Sequence, residues 1–300
     1  MQAWRPVVAT ALICALLTLL GEPGPTFASS AECGALTADL NGDGAVDLQD
    51  FFILADQFGG KCERPTAGQT LRVELPGAIG MDFVWVTPGT FTMGGQLGLP
   101  PHPVRLSRGY YMATTEVTQA QWQAVMGTSP WAGKPYAQVG PNLPAVYISS
   151  YDVQALANTL NRAAGDSLYR LPTEAEWECA CRAGTTSVWS FGDDEGLLGQ
   201  YAWYSGNAAV FQPVATRLPN PWGLYDMHGN AWEWCSDFYT THPSLGDTVV
   251  VDPNEPLGPT FERVARGGMG PSQSTGAAYR MGYNASGRSW SCGARLVRVQ

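Results

Sequence analysis

Residues 222–235, WGLYDMHGNAWEWC, constrain the fold of this chain more than any other segment. They set tryptophan and tyrosine beside two carboxylates, Asp226 and Glu233, a mixture typical of neither an amphipathic helix nor an alternating strand. An ordered loop is therefore predicted. Together with the main-chain carbonyls of Gly229 and Ala231, the carboxylates could form the all-oxygen shell that calcium prefers. An aromatic core loop with two solvated acids is the alternative, and spacing alone does not separate the two.

Length and charge limit the domain count and the class of partner. The chain has 300 residues, 45% of them apolar, which suits one large domain or one domain plus a small module. Its net charge is −9, and Lys61 and Lys134 are its only lysines. Nucleic-acid surfaces need basic clusters, so no nucleic-acid partner is expected.

The N-terminus has the pattern of a secretory signal peptide. A basic start up to Arg5 precedes an apolar run over 7–20, and small residues around Ala28 suit cleavage. Residues 1–28 are therefore predicted to be removed, leaving no membrane span and a secreted or periplasmic protein. A retained membrane anchor is the competing interpretation.

Export would place the cysteines in an oxidising compartment. A disulfide between Cys33 and Cys62 is favoured because these two bracket one compact motif. The remaining four have no assigned partner, and no histidine stands near them to suggest zinc. They are Cys179, Cys181, Cys235 and Cys292.

A calcium loop of the EF-hand type is predicted between Cys33 and Cys62. Oxygen donors recur at the EF-hand spacing, and Gly44 stands where the loop must turn sharply. The candidate ligands are Asp39, Asn41, Asp43, Ala45, Asp47 and Asp50. The loop resembles one repeat of a dockerin, a calcium-dependent attachment module. An acidic turn that caps the helix 51–58 without metal is the alternative.

The sequence divides into a calcium module at 29–62, a linker at 63–80 and a main domain at 81–300. Short strands are predicted at 83–86 and 91–94 about a turn, and extended segments at 104–106 and 110–112. Three helices are predicted: from a capping box at 118–121 to Gly127, over 151–164 before Gly165, and from a capping box at 173–176 to Gly184. After Gly184, long irregular segments are expected.

Several motifs in the main domain resemble the sulfatase-modifying factor family, which includes formylglycine-generating enzymes. They are FVWVTPGTFTMG at 83–94, EVT at 116–118, RLPTEAEWE at 170–178, GLYDMHGNAWEW at 223–234 and RGG at 266–268. The resemblance implies a low-regularity α+β fold related to C-type lectins. It also implies a calcium ion with ligands at Asp226, Gly229, Ala231 and Glu233. A second calcium site would begin near Trp203, but no acidic partner is evident and we do not assign it.

The resemblance also implies that two cysteines shortly after the Arg-Gly-Gly motif hold a copper ion. Family members use this copper to oxidise a cysteine of a sulfatase. Soft Cu(I) needs thiolates, yet residues 269–280 contain no cysteine. Met269 is expected to be a core residue. Iron chemistry would need clustered histidines, whereas His102, His228 and His242 are scattered, and His228 is expected to be a hydrogen-bonding core residue.

Two functional hypotheses follow. The first is an exported, calcium-stabilised module without catalysis, which binds a protein (sulfatase-like or on a cell surface) or a glycan through the family's substrate groove. The second is an active formylglycine-generating oxidase with relocated copper ligands such as Cys235 and Cys292. Hydrolysis is disfavoured because no histidine lies near a candidate serine such as Ser286.

Overall fold

The computed structural model describes residues 65–95, 100–240, 248–254 and 261–300. The predicted signal peptide and the calcium module, including the ligands from Asp39 to Asp50, lie outside the described residues, as does His242. Residues 65–300 form one compact unit. In the part of the chain that the structure describes, no helix is both long and apolar enough to span a bilayer.

Twelve strands and four helices are present in the described residues. The strands are β1 (Thr70–Leu75), β2 (Ile79–Val86), β3 (Gly89–Met93), β4 (His102–Leu106), β5 (Tyr110–Ala113), β6 (Tyr169–Arg170), β7 (Trp232–Phe238), β8 (Val250–Val251), β9 (Glu262–Arg266), β10 (Met281–Asn284), β11 (Cys292–Gly293) and β12 (Val297–Arg298). The helices are α1 (Gln119–Met126), α2 (Ser150–Ala164), α3 (Glu174–Arg182) and α4 (Leu198–Tyr201). The result is a mixed α and β fold.

The strands form three sheets, ordered β1-β2-β5-β12-β6, β10-β9-β7-β11 and β3-β4-β8. The first is antiparallel throughout. Strands β7 with β11 and β4 with β8 pair in parallel. The predicted strands at 83–86 and 91–94 form as β2 and β3, but they belong to different sheets and do not pair across a turn.

The predicted linker 63–80 is wrong over most of its length. Strand β1 pairs along its whole length with β2, from Thr70 opposite Val84 to Leu75 opposite Ile79. The mixed Pro and Gly content around it suggested a linker, while pairing with β2 supplies its main-chain hydrogen bonds. The main domain therefore begins before Met81, within the unit that starts at Pro65.

Both predicted capping boxes are confirmed. Thr118 caps α1 with Gln121, and Thr173 caps α3 with Glu176, each side chain bonding the other residue's backbone N–H. Such a cap stabilises a helix by about 1 kcal/mol. Gly127 ends α1 in the left-handed conformation, with φ 65°, where a side chain would add strain. Helix α2 begins at Ser150, one residue before the predicted start, and ends at Gly165 as expected.

Two large apolar clusters, and a small third one with Trp189 and Leu198, hold these elements together. Trp122, Trp131 and Trp234 lie in the larger one, which α1 and α2 cover, while Trp177 of α3 lies in the second. Burial of each such side chain contributes roughly 1.5–3 kcal/mol or more. Between α3 and β7 only α4 and a short 3-10 turn are regular, so the prediction of long irregular segments after Gly184 is confirmed.

Candidate functional site

The loop from Asp226 to Glu233 is an ordered, buried turn that leads into β7. Asp226 and Asn230 adopt the left-handed region, with φ 58° and 63°. A Cβ on Gly229 would lie 2.2 Å from the carbonyl oxygen of Trp203, so only glycine allows this close approach. The backbone N–H of Asn230 donates to the same oxygen at 2.8 Å. The loop conformation is therefore set by its own residues and by Trp203.

Three buried carboxylates converge at this loop. Asp226 and Glu233 were predicted, and the structure adds Glu116, whose Oε1 accepts from the Ala231 amide at 3.1 Å. Asp226 Oδ2 accepts from the Ala215 amide at 2.8 Å. Sequence reasoning missed Glu116 as a site residue, although its motif at 116–118 was noted. We name Glu116, Asp226 and Glu233 the acid cluster.

Arg295 is the cation that the described residues bring to the acid cluster. Its guanidinium is fully buried and lies 2.8 Å from Glu233 Oε1. It also donates to the carbonyls of Ala113 and Tyr225. The Trp177 indole donates to Glu233 Oε2 at 2.6 Å. The Glu233 carboxylate is thus fully engaged, and its negative charge is compensated by Arg295.

The other two carboxylates each keep one oxygen without a hydrogen-bond partner in the described residues. These buried atoms are Glu116 Oε2 and Asp226 Oδ1. Burial raises the pKa of Glu116 well above its usual range, and the charges of Asp226 and Glu233 add to this. Burial likewise raises the pKa of Asp226 to about 6, against the Ala215 amide and Arg295, which lower it. Both carboxyl groups therefore hold their protons more tightly than free carboxyl groups do, and once ionised they would add negative charge to a site whose cation, Arg295, is already paired with Glu233.

This arrangement fits a hard cation in part. Carboxylate oxygens without partners are the ligands that calcium takes. Asp226 and Glu116 offer such oxygens, whereas the predicted ligand Glu233 directs its carboxylate to Arg295 and Trp177. Among the residues that the structure describes, no group of three or more His, Cys, Asp or Glu side chains has metal-binding geometry. Calcium ligation by Asp226, Gly229, Ala231 and Glu233 thus stays a prediction.

In the family that the sequence resembles, the segment after the Arg-Gly-Gly motif carries the two copper cysteines. In this chain the corresponding segment, 269–280, contains no cysteine and forms a polar turn. Residues Ser272–Thr275 make a short 3-10 turn in which Thr275 is buried. Ser272, Gln273 and Gly276 line a cavity of about 230 Å³, with Trp189 among its other walls. A Cβ on Gly268 would lie 2.1 Å from the Trp232 ring, so the glycine lets this segment approach β7.

Beneath this turn lies a buried ionic network. Arg266 bonds both Glu174 and Glu178, at 2.6 and 2.9 Å. Arg280 reaches Glu174 at 2.7 Å, and Arg182 reaches Glu178 at 2.8 Å. All five side chains are almost completely buried. The network joins α3 to β9 and to the polar turn, and thereby fixes the position of the segment 266–280.

The four described cysteines are free thiols, and all are buried. Cys292 pairs in register with Trp232. Cys235 lies three residues further along β7, which is about 10 Å and the opposite strand face. The two sulfurs accordingly belong to different apolar clusters. The suggestion that Cys235 and Cys292 serve as relocated copper ligands is therefore wrong.

The expectation that His228 is a core residue is confirmed. Its Nδ1 lies 2.9 Å from the Thr275 carbonyl and its Nε2 lies 2.9 Å from the Ser190 hydroxyl. Burial lowers the pKa of this imidazole to about 4, so it is neutral at physiological pH. His102 bonds the Pro100 carbonyl instead, and Met269 packs against the larger apolar cluster.

The buried thiols should not react in the native protein. Burial raises the pKa of all four, to about 12 for Cys179 and Cys292, so almost no thiolate forms at pH 8. We expect maleimide labelling to spare Cys179, Cys181, Cys235 and Cys292 in buffer and to modify all four in urea, as peptide mass mapping would show. Rapid native labelling of any one of them would contradict this burial.

The comparisons with known proteins now give the family. The model of the sulfatase-modifying factor enzyme 1-like domain matches residues 74–300. The chain belongs to this family. It is 35% identical over 142 residues to a formylglycine-generating enzyme of Mycobacterium tuberculosis, a match that covers 42% of this chain and 45% of that enzyme. The chain thus spans less than half the length of that relative.

Two further similarities extend over most of the domain. The chaperone protein LppX of Paenibacillus barcinonensis is 26% identical over 301 residues, which cover 82% of this chain and 97% of LppX. The structure of Treponema denticola variable protein 1 superposes with a TM-score of 0.70 at 26% identity, covering 77% of this chain and 99% of that protein. The fold of most of this chain is therefore shared with that protein.

Proposed function

We propose that this chain is an exported, calcium-binding member of the sulfatase-modifying factor family that binds a partner protein and does not oxidise it. One observation carries the proposal. The segment 269–280 presents serine, threonine and alanine where the resemblance requires two thiolates, and the four described cysteines are buried thiols outside that segment. Linear Cu(I) coordination needs two sulfurs in one accessible site.

The relatives support a binding role. The formylglycine-generating enzyme matches over 142 residues, whereas the relative that matches almost end to end is named a chaperone. A chaperone acts by contact with another protein, so we assign this chain a protein partner in preference to a glycan. Fold similarity alone does not carry activity, and the altered segment argues against it.

Calcium would have a structural role in this function. The free oxygens of Glu116 and Asp226 would hold the ion, with the carbonyls of Gly229 and Ala231 as further ligands. The ion would neutralise the acid cluster, which Arg295 balances only in part. Glu233 would act by positioning Arg295 and Trp177. Export is compatible with the four free thiols because burial keeps them from exchange.

The function is tested by incubating the full chain with copper, a reductant and a cysteine peptide of the sulfatase type. We expect mass spectrometry to show the peptide unchanged and the protein to bind no copper stoichiometrically. The Mycobacterium tuberculosis formylglycine-generating enzyme serves as the positive control. Loss of thiol mass from the peptide, with oxygen consumption, would establish the oxidase alternative instead.

A further inference from the structure

A cluster of aromatic and apolar side chains lies on the surface. We name it the aromatic patch and define it by Tyr136 and Trp290, whose exposed fractions are 78% and 41%. Two exposed valines lie close to it in sequence, Val139 three residues after Tyr136 and Val210 directly before Phe211, with exposed fractions of 75% and 40%. The Tyr136 and Trp290 ring centres lie 5.9 Å apart, and the buried Phe211 lies 5.7 Å from Trp290. Exposed side chains of this size placed together mark interaction sites.

The patch is held in place at a cost in backbone strain. Tyr136 has φ 60° and Tyr147 has φ 59°, a conformation unusual for aromatic residues. The Tyr147 hydroxyl donates to the Pro135 carbonyl at 2.6 Å and so fixes the loop that presents Tyr136. Strain of this kind persists only where surrounding structure imposes it, and it concentrates at functional sites.

Trp290 is fixed by the backbone on both sides. The Ser289 carbonyl accepts from the Tyr147 amide at 3.0 Å, and the Ser291 carbonyl accepts from the Trp232 amide at 2.9 Å. The second bond ties the patch to Trp232, which is the first residue of β7 and belongs to the loop 226–233. A ring positioned in this way loses little conformational entropy when a partner covers it, which favours binding.

The charges around the patch are one-sided. Its side chains come from segments 127–151, 203–225 and 284–300, which contain no Asp or Glu, in a chain of net charge −9. Arg295 of these segments is buried against Glu233 and Arg288 is paired with Asp152, so the charge offered to a partner comes from cations such as the exposed Lys134. The nearest surface carboxylate in sequence, Asp152, is held by two bonds of 2.7 Å from Arg288. The patch therefore attracts an acidic partner and repels a basic one.

We propose that the aromatic patch docks an acidic segment of a partner protein that packs apolar side chains against the exposed faces of Tyr136 and Trp290. This inference rests on the proposed binding function and names the chemistry of its partner. Tyrosine and tryptophan are the residues that most often dominate binding energy at protein interfaces. Lys134, which is exposed beside Tyr136, supplies a cation for the partner's carboxylates.

The test uses the full chain with calcium and two fluorescent peptides that share leucine and phenylalanine positions and differ only in glutamate or lysine at the others. Fluorescence anisotropy should show tighter binding of the glutamate peptide. Tyr136→Gly, which suits the positive φ, and Trp290→Ala should each weaken this binding at least tenfold. Lys134→Glu should weaken the glutamate peptide and strengthen the lysine peptide.

Val251→Ser is the matched control, because Val251 is 54% exposed in the β3-β4-β8 sheet, away from the patch segments. Equal binding of the two peptides, failure of the glutamate peptide to bind, or an equal loss in Val251→Ser would overturn the proposal. Binding of an acidic polysaccharide without the peptide would also overturn it. Peptide oxidation in the copper assay would refute the proposed function while leaving this result intact.

Discussion

Replacing Glu178 by glutamine is expected to lower the free energy of unfolding by about 3–5 kcal/mol, because it leaves buried cations without their partner. Glu178 accepts from the Gly94 amide at 2.7 Å, from Arg182 at 2.9 Å and from Arg266 at 2.9 Å. Glutamine keeps the size but removes the charge. Arg182 would then lose its carboxylate, and Arg266 would share Glu174 with Arg280.

The matched control is Glu74→Gln, at an exposed pair with Arg72. Exposed pairs contribute about 0–1 kcal/mol, so this variant should unfold almost like the native protein. Urea unfolding followed by tryptophan fluorescence measures both variants under the same conditions. An equal, small effect of the two substitutions would mean that the buried network does not stabilise this domain.

Local signals were enough to predict α1, α2 and α3, whereas the one-turn helix α4 was not predicted. The capping boxes at Thr118 and Thr173 span four residues each, and the glycines that end α1 and α2 follow directly in sequence. Each signal concerns hydrogen bonds within one turn, so neighbouring residues are enough to recognise it. The absence of the two copper-binding cysteines could likewise be predicted from the sequence, because residues 269–280 contain no cysteine.

Sheet partners and the full acid cluster could not be predicted in this way. Strand β12 pairs with β5 and β6, which lie more than a hundred residues earlier. Glu116 reaches Ala231 across 115 residues and Arg295 reaches Glu233 across 62. A sequence pattern records spacing along the chain, whereas these contacts depend on how irregular segments fold back. The prediction therefore found Asp226 and Glu233 but missed the groups that decide their charge.

Calcium is expected to reverse the pH dependence that Asp226 gives to stability. Its folded pKa of about 6 lies above the ordinary value of 3.8, so without metal the folded state binds this proton more tightly than the unfolded chain. The resulting stability is complete below pH 4 and is lost as pH rises through 6, by about 3 kcal/mol at most. Glu116, whose pKa is also raised, acts in the same direction.

Asp226→Asn isolates this contribution, because His228 acts with the opposite sign. The lowered pKa of His228, about 4, removes stability as pH falls below 6.5, equally in both proteins. In EDTA, the native protein should lose the contribution of Asp226 as the pH rises from 4 to 7, while Asp226→Asn should not. The free energy of unfolding of the variant should therefore rise relative to that of the native protein over this range. At pH 7 a hundredfold excess of calcium over its Kd should stabilise the native protein by about 2.7 kcal/mol and the variant much less.

Urea unfolding across pH 4–7.5, with EDTA or with calcium, measures both effects, and Asp82→Asn at an exposed position is the control. Since calcium needs the ionised carboxylate, its stabilising effect should grow with pH as Asp226 and Glu116 lose their protons. If calcium stabilised Asp226→Asn as much as the native protein, the ion would lie elsewhere. The unbonded oxygens of the acid cluster would then have to be satisfied by protons, and the loop 226–233 would be an aromatic core turn without metal.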